Sequence, residues 1–499
     1  MSKPDFAEGV DSSLVNEGGI EAGTFEGRDV VVVRRNGSLC ALSGVCTHLK
    51  GALADGILVD DTLRCPLHHA RFDITTGVAV DAPAFEPLQR YAVAEKDGKI
   101  RITGELAPGE RTAPSNSVSE RIVVIGGGAA AHALAEMMAR HGAADSLMLF
   151  SDDSDAPYDR TACSKAYLAG DSSREDAALP LPGTHVNIRH EAIRAIRIDE
   201  REIETAAGER VGYDKLVIAT GAEPIVPEFT GSARDDVFTL RTLADADRLI
   251  AAFKTGHHAI VLGASYIALE AASSLRKRGL QVTVVAPDEI PLAKTVGPEM
   301  GAVVHDLHCE HDVSFHLGRE VASWDGNHAT LDDGTRIAGD MIIAGTGVRP
   351  RVGLAEKAGL EMASDENGGG ILVDAYLRTS DPHIHAIGDV ASYPDPRLGH
   401  RIRVEHWVVA QRMGQWLART WLGLETDAYD AIPFFWSGQF NLNLRYVGHA
   451  SDTDDRIIDG EPVAEDVAIV FREDGADQAL LTCGRDRQSL QTEAEWEAR

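Results

Sequence analysis

The first hundred residues set short apolar runs between polar breaks. Asp29-Val-Val-Val-Val33 and Tyr91-Ala-Val-Ala94 have the length of strands, and Asn36-Gly37 and Asp97-Gly98 have the composition of two-residue hairpin turns. Phe72-Asp-Ile74 followed by Thr76-Gly77 adds a further strand and turn. Residues 1–105 are therefore predicted as an all-β module. The pattern then lapses: residues 106–119 are rich in Pro and Ser and have no period, which predicts a linker. Beyond it, wholly apolar runs alternate with helical stretches. Arg121–Ile125 precedes a helix over Ala133–Arg140, and Ala259–Leu262 precedes a helix over Ala271–Arg278 that Gly279 ends. Runs at Ser146–Phe150, Leu216–Ala219 and Gln281–Val285 read as further strands, Met341–Pro350 closes the second such unit, and another helix is predicted over Ala410–Trp421. Strand-like runs return from about residue 426, and the polar segment Gln488–Arg499 is predicted as a surface helix.

A chain of 499 residues is too long for one core. The expected division is 1–105, 106–119, 120–237, 238–366, 367–425 and 426–499, with 120–237 and 367–425 two parts of one domain. A hydrophobic fraction of 44% fits a globular protein, and the formal charge of −30 disfavours nucleic acid and anionic membrane as partners. The N-terminal segment has no apolar core of a secretory signal, and no run approaches eighteen apolar residues. Six scattered cysteines show no disulfide framework, so a reducing cytoplasm is the expected compartment.

Two pairs of residues change this picture most. Cys46-Thr-His48 is followed, sixteen residues later, by Cys65-Pro-Leu-His68. Two thiolates on one iron and two imidazoles on the other make the ligand set of a Rieske [2Fe–2S] centre. Zinc takes the same donors, but its fingers pair Cys with Cys and His with His rather than mixing them. The loops resemble those of Rieske ferredoxins and of oxygenase Rieske domains. Relatives in respiratory complexes add a disulfide-forming Cys to each loop. Here those positions are Gly51 and Leu67, which implies a potential towards the bottom of a range of about −150 to +300 mV. Pro83 falls where many Rieske domains place a third loop, although a proline there also suits an ordinary turn.

Strand, glycine turn and helix recur twice downstream. Gly126, Gly128 and Ala131 occupy the three small positions of a dinucleotide fingerprint, and Asp152 or Asp153 ends the next strand, where it can accept from a ribose hydroxyl. The second turn has Gly263 first, but Ser265 and Ala268 stand where glycines are usual. The strand after it ends in Ala286-Pro287 rather than an acid, leaving Asp288 or Glu289 to replace it and the choice between NADH and NADPH open.

Pro157-Tyr-Asp-Arg160-Thr-Ala-Cys-Ser164-Lys165, Ala219-Thr220-Gly221, Gly347 and Gly388-Asp389 follow in an order that resembles the FAD-dependent ferredoxin reductases of oxygenase systems and the apoptosis-inducing-factor-like reductases, some of which carry a Rieske domain. That resemblance implies an all-β Rieske domain, a glutathione-reductase-like α/β flavoprotein with two dinucleotide sites, and a C-terminal α+β domain. It implies FAD, a Rieske cluster and NADH or NADPH as donor. Arg160 and Lys165 would contact the flavin, and Asp389 would bond its ribityl chain. Glu405, His406 and Trp407 would open a helix at its pyrimidine end. Trp436 would lie beside the ring, and Glu270 would pair with Lys165. The plain alternatives are a helix-surface Glu270, a core Trp436 and, for Cys163, a small buried hydrophobe. The implied activity is a reductase passing electrons from NAD(P)H through FAD to the cluster and on to an oxygenase, a cytochrome P450 or a ferredoxin, in a monomer or homodimer. The alternatives are an NAD(P)H oxidase, a nitrite-reductase-like delivery component, or a redox sensor or interaction protein.

Overall fold

Val30 to Val33 form the middle of the strand Arg28–Arg35, and all four valines are at most 1% exposed. Side chains alternate across a strand, so this unbroken run needs apolar cover on both faces. It has it: Val31 and Val33 pack with Leu42, Leu63 and Phe72, while Val30 and Val32 pack with Phe6, Tyr91 and Ile100. The strand sits in a six-stranded antiparallel sheet ordered Val10–Asp11, Lys99–Leu106, Arg90–Lys96, Ser38–Ser43, Arg28–Arg35, Ile20–Phe25. Both predicted hairpin turns are present, and Asn36, Gly37, Asp97 and Gly98 all have φ between 50° and 74°. A four-stranded meander of Ile57–Val59, Thr62–Arg64, Arg71–Asp73 and Ala79–Asp81 completes the β-structure.

This computed structural model describes residues 3–107, 109, 118–179, 181, 186–253, 256–364 and 368–499. Most of the predicted linker over 106–119 lies outside the described residues. Packing groups residues 1–116 with 485–499 as one compact unit and 117–484 as another. The helix Asp486–Glu497 thus belongs with the N-terminal β-domain. It differs from the polar surface helix expected there: Ser489, Leu490, Glu493 and Trp496 are buried along one face.

The larger unit contains two five-stranded parallel sheets. The first runs Asn187–His190, Leu147–Ser151, Ile122–Ile125, Lys215–Ile218, Ile384–Ala386; the second runs Val237–Thr239, Met341–Ala344, His258–Leu262, Gln281–Ala286, Val313–Leu317. A five-stranded antiparallel sheet, from Phe434–Gln439 to Ala476–Cys483 in sequence, packs with the second of them. The two dinucleotide helices start earlier than predicted, at Ala129 and Tyr266, because Gly128 and Ser265 are their N-caps. Among the described residues no helix is long and apolar enough to cross a membrane.

Histidines buried in this unit, His308 and His385 among them, give it an acid limit. Burial pulls His308 down to about 4 and His385 down to about 3. Unfolded, each imidazole protonates near its ordinary value of about 6.5. Below that pH the unfolded chain binds more protons than the fold, so stability is whole above pH 6.5 and falls towards pH 4. The loss is about 2 kcal/mol per histidine at pH 4.5. Melting curves from pH 7 to 4.5 should show it, and the His308→Gln variant should have a shallower dependence. Equal slopes in the two proteins would mean that His308 carries none of the acid loss.

Candidate functional site

The two loops bearing the Cys and His pairs are built alike. In the first, the N–H of Cys46 donates to Gly51 O and the N–H of Lys50 to Cys46 O; in the second, Cys65 N–H donates to Ala70 O and His69 N–H to Cys65 O. The fifth residue of each is left-handed, with φ of 58° at Lys50 and 59° at His69. The meander supplies the second loop as a connection between adjacent strands. Cys46 and Cys65 are each 1% exposed, whereas His48 is half-buried and its ring lies 5.0 Å, edge to face, from that of His68. The sulfurs lie deepest, His68 is buried at 8% exposure and His48 is the more open imidazole, an arrangement that suits a centre with one iron of each kind. A hydrogen bond with Cys65, and then burial, push the Cys46 thiol far above its ordinary value. Two buried thiols in contact become thiolates readily only where metal replaces their protons, which is the fit a cluster requires. Gly51 and Leu67 face each other: a Cβ on Gly51 would meet Leu67 Cγ and Cys65 Sγ at 3.0 Å. The place of a disulfide is filled by leucine against glycine. Thr47 Oγ1 donates to Glu86 O at 2.8 Å, which ties the first loop to the segment holding buried Pro83.

The larger unit encloses a cavity of about 1250 Å³. Gly126, Gly128, Asp152, Arg160, Lys165, Thr220, Gly221, Ser265, Glu270, Gly347, Gly388, Asp389, Glu405, His406, Trp407 and Trp436 all line it. Ala131 and Gly263 do not. Ala131 is wholly buried in helix packing, and Gly263 lies beneath the second turn, where a Cβ would stand 2.6 Å from Gly345 O. Gly126, at φ +126°, passes so near Ala219 that a Cβ would lie 2.1 Å from its carbonyl oxygen. Helices Ala129–Arg140 and Trp407–Trp421 both begin at the wall, a suitable setting for phosphate and for the electron-rich end of a flavin. The volume exceeds that of an ordinary ligand pocket and suits a dinucleotide with a second ligand beside it.

At one end of the cavity, Glu270 is 3% exposed and accepts three bonds: from Lys165 Nζ at 2.6 Å, Ser164 Oγ at 2.7 Å and Ser437 Oγ at 2.7 Å. It is therefore a paired interior carboxylate and not a helix-surface one. Asp389 is held by Arg241 at 2.7 Å, and exposed Asp152 by Arg351 at 2.7 Å. Asp153 is already bonded to Tyr158 Oη at 2.7 Å. Glu405 pairs with Arg403, and burial nevertheless raises its carboxyl. Desolvation pulls His406, stacked on Phe435 at 4.1 Å, down to about 4, so its ring is neutral at pH 7. Ser265 is exposed and turns its hydroxyl to Gly345 O at 2.9 Å. Beyond the second nucleotide strand, Asp288 is paired with Lys294 at 2.7 Å. Cys163 is 2% exposed and burial pushes its thiol up to about 12, which leaves it inert as a thiolate nucleophile.

Sequence reasoning missed Ser437, Arg241 and Arg351. Each meets its partner across more than a hundred residues of chain; Ser437 follows Trp436 directly, but nothing in that stretch marks its hydroxyl as a donor. Ser164 had a signal, since it stands beside Lys165 in the Pro157–Lys165 motif, but nothing in the motif marks its hydroxyl as a donor to Glu270.

An all-β domain with mixed Cys and His loops, joined to two dinucleotide sheets around one cavity, defines a Rieske-bearing flavoprotein reductase. Residues 120–414 match the pyridine nucleotide-disulphide oxidoreductase family, and the chain belongs to it. Residues 8–92 match the Rieske [2Fe-2S] domain and 434–494 the reductase C-terminal domain. Apoptosis-inducing factor 3 of Homo sapiens is 27% identical over 455 residues, 87% of this chain and 74% of that protein. The anthranilate 1,2-dioxygenase system ferredoxin–NAD(+) reductase component of Burkholderia cepacia is 32% identical, over 69% of this chain and 86% of its own. Among solved structures, the covalent putidaredoxin reductase–putidaredoxin complex superimposes with a TM-score of 0.71 at 27% identity, covering 77% of this chain and 94% of that one. The chain is an FAD-dependent, ferredoxin-reductase-type oxidoreductase that uses NAD(P)H and carries a Rieske [2Fe–2S] domain.

Proposed function

We propose that electrons from NAD(P)H pass through FAD to the chain's own Rieske cluster and leave it for an external acceptor such as an oxygenase, a cytochrome P450 or a ferredoxin. The observation that carries this is the presence, on one chain, of a cavity built for hydride exchange and a pair of loops built for a one-electron centre. FAD supplies the conversion when bound, since it accepts a hydride and releases electrons singly.

The chain's residues bind and orient. Gly126 and Gly128 would let the backbone approach the FAD pyrophosphate, and Asp152 would accept from its ribose. Arg241 fixes Asp389 for the ribityl chain. Arg160, Glu405, His406 and Trp407 line the flavin's berth. Lys165, paired with Glu270, would contact the flavin and the nicotinamide, and Trp436 would lie beside them. Ser265 and Gly347 flank the nicotinamide nucleotide. Cys46, His48, Cys65 and His68 hold the cluster.

The test is anaerobic reduction of the purified holoprotein with NADH and NADPH in turn, following flavin absorbance and the rhombic EPR signal of a reduced mixed-ligand cluster. The signal should grow as the flavin bleaches, and protein stripped of flavin should give none. A cluster that stays oxidised while the flavin cycles would defeat the relay. The names of the dioxygenase-system and putidaredoxin relatives support an acceptor protein of the ferredoxin or oxygenase kind.

A further inference from the structure

Three residues of the terminal helix Asp486–Glu497 make polar contacts at and beside the second cluster loop. His69 follows the ligand His68 directly and is wholly buried. Its Nδ1 lies 2.7 Å from Glu493 Oε2, and its Nε2 lies 3.3 Å from Ser489 Oγ. Arg64 immediately precedes Cys65, and its Nη1 is 2.8 Å from Glu497 Oε2. Arg71, which follows the loop, bonds Glu497 and lies 3.6 Å from Glu493 Oε1. Residues 489, 493 and 497 are spaced one helical turn apart, so they form a single polar stripe. That stripe holds the loop before its cysteine, beside its histidine and after its close. Leu490 and Trp496 supply the apolar anchor, at 0% and 7% exposure.

Two features separate this from incidental packing. Glu493 is 0% exposed, and a buried carboxylate is strongly unfavourable unless it is bonded. His69 has a left-handed backbone, uncommon for a residue with a side chain, and both of its ring nitrogens are engaged by the helix.

We propose that the terminal helix is a strap that sets the electrostatics and rigidity of the His68 loop, with Glu493 its positioning residue. This rests on the reading of Cys46, His48, Cys65 and His68 as cluster ligands. Outer-shell hydrogen bonds and nearby charge tune both the retention and the potential of such centres. A buried carboxylate beside the ligand loop favours the oxidised, less negative state of the cluster.

The test compares the wild-type holoprotein with Glu493→Gln and Glu493→Asp. Three readouts are taken: the cluster midpoint potential, EPR g-values, and the rate of iron loss to a chelator. Glu493→Gln removes a charge at nearly constant shape, so the potential should rise and iron should leave about tenfold faster. Glu493→Asp keeps the charge and should leave the potential near that of wild type. FAD content should be the same in all three proteins. A merely structural helix would lower the melting temperature in both variants but leave the potential of the retained cluster unchanged, and that result overturns the proposal. Wild-type protein with iron and sulfide but no rhombic signal would refute the ligand reading itself, a failure visible before any variant is compared.

Discussion

Replacing His68 with alanine is expected to abolish the visible and EPR signatures of the cluster while FAD stays fully bound. His68 is one of two imidazoles 5.0 Å apart in the paired loops, and among the described residues no other histidine sits at an equivalent loop position to take its place. Its neighbour His69 cannot substitute, because it is buried against Glu493. Losing an outer-shell partner costs roughly 10–100-fold in metal affinity, so losing a direct ligand should cost more than about 100-fold. The residues lining the large cavity lie wholly within 117–484, so hydride uptake from NAD(P)H should persist. Reduction of a one-electron acceptor protein should then collapse, while oxygen consumption through the flavin continues. Stopped-flow bleaching of the flavin, paired with steady-state reduction of a ferredoxin, measures both arms. Unchanged transfer in a cluster-free variant would show that the flavin serves the acceptor directly.

Chemistry was legible in this sequence wherever it depends on local spacing. The paired Cys and His loops, the first glycine turn with its strand, and the hairpins at Asn36-Gly37 and Asp97-Gly98 each follow from a few adjacent residues and the backbone they demand. The same holds for Lys165 and Glu270, whose pairing the family resemblance implied and the 2.6 Å contact shows. What could not be read is long-range. Ser437 completes the Glu270 site from a strand 167 residues away, and Arg241 reaches Asp389 across 148. The terminal helix is the clearest case. Its polar composition suggested solvent, yet Ser489, Glu493 and Glu497 are polar because they bond a histidine and two arginines of a domain nearly the whole chain away. A buried stripe that makes ionic bonds has the same hydropathy as an exposed one. Only the partners distinguish them, and the partners are not neighbours in sequence.

The largest loss of stability is expected from Gly414→Val, a residue that touches no cofactor. Gly414 lies in the helix Trp407–Trp421, where it crosses Ala129–Arg140 with the two backbones in contact. A Cβ there would stand 2.1 Å from Ala130 O and 2.9 Å from Leu134 N, both main-chain atoms that cannot turn aside. The contacts alongside are also tight: a Cβ on Gly388 would meet those of Ala130 and Ala410 at 3.2 and 3.5 Å. Small residues are required at this crossing because the two helices bring their first turns to the same cavity wall, one beside the glycine turn and the other beside Asp389. A branched side chain would wedge them apart, at a cost of about 3 kcal/mol or more. It would also displace both helix starts from the phosphate and from the flavin ring. The variant should therefore purify largely without flavin and melt well below wild type. Its Rieske signal should persist, since that domain has a core of its own in residues 1–116 and 485–499. Gly438→Ala is the matched control, because the nearest atom to its added Cβ is the Asn443 side-chain oxygen at 3.7 Å. Full flavin occupancy and an unshifted melt in Gly414→Val would mean that the crossing can open without cost, and that the cavity wall does not depend on small residues between the two helices.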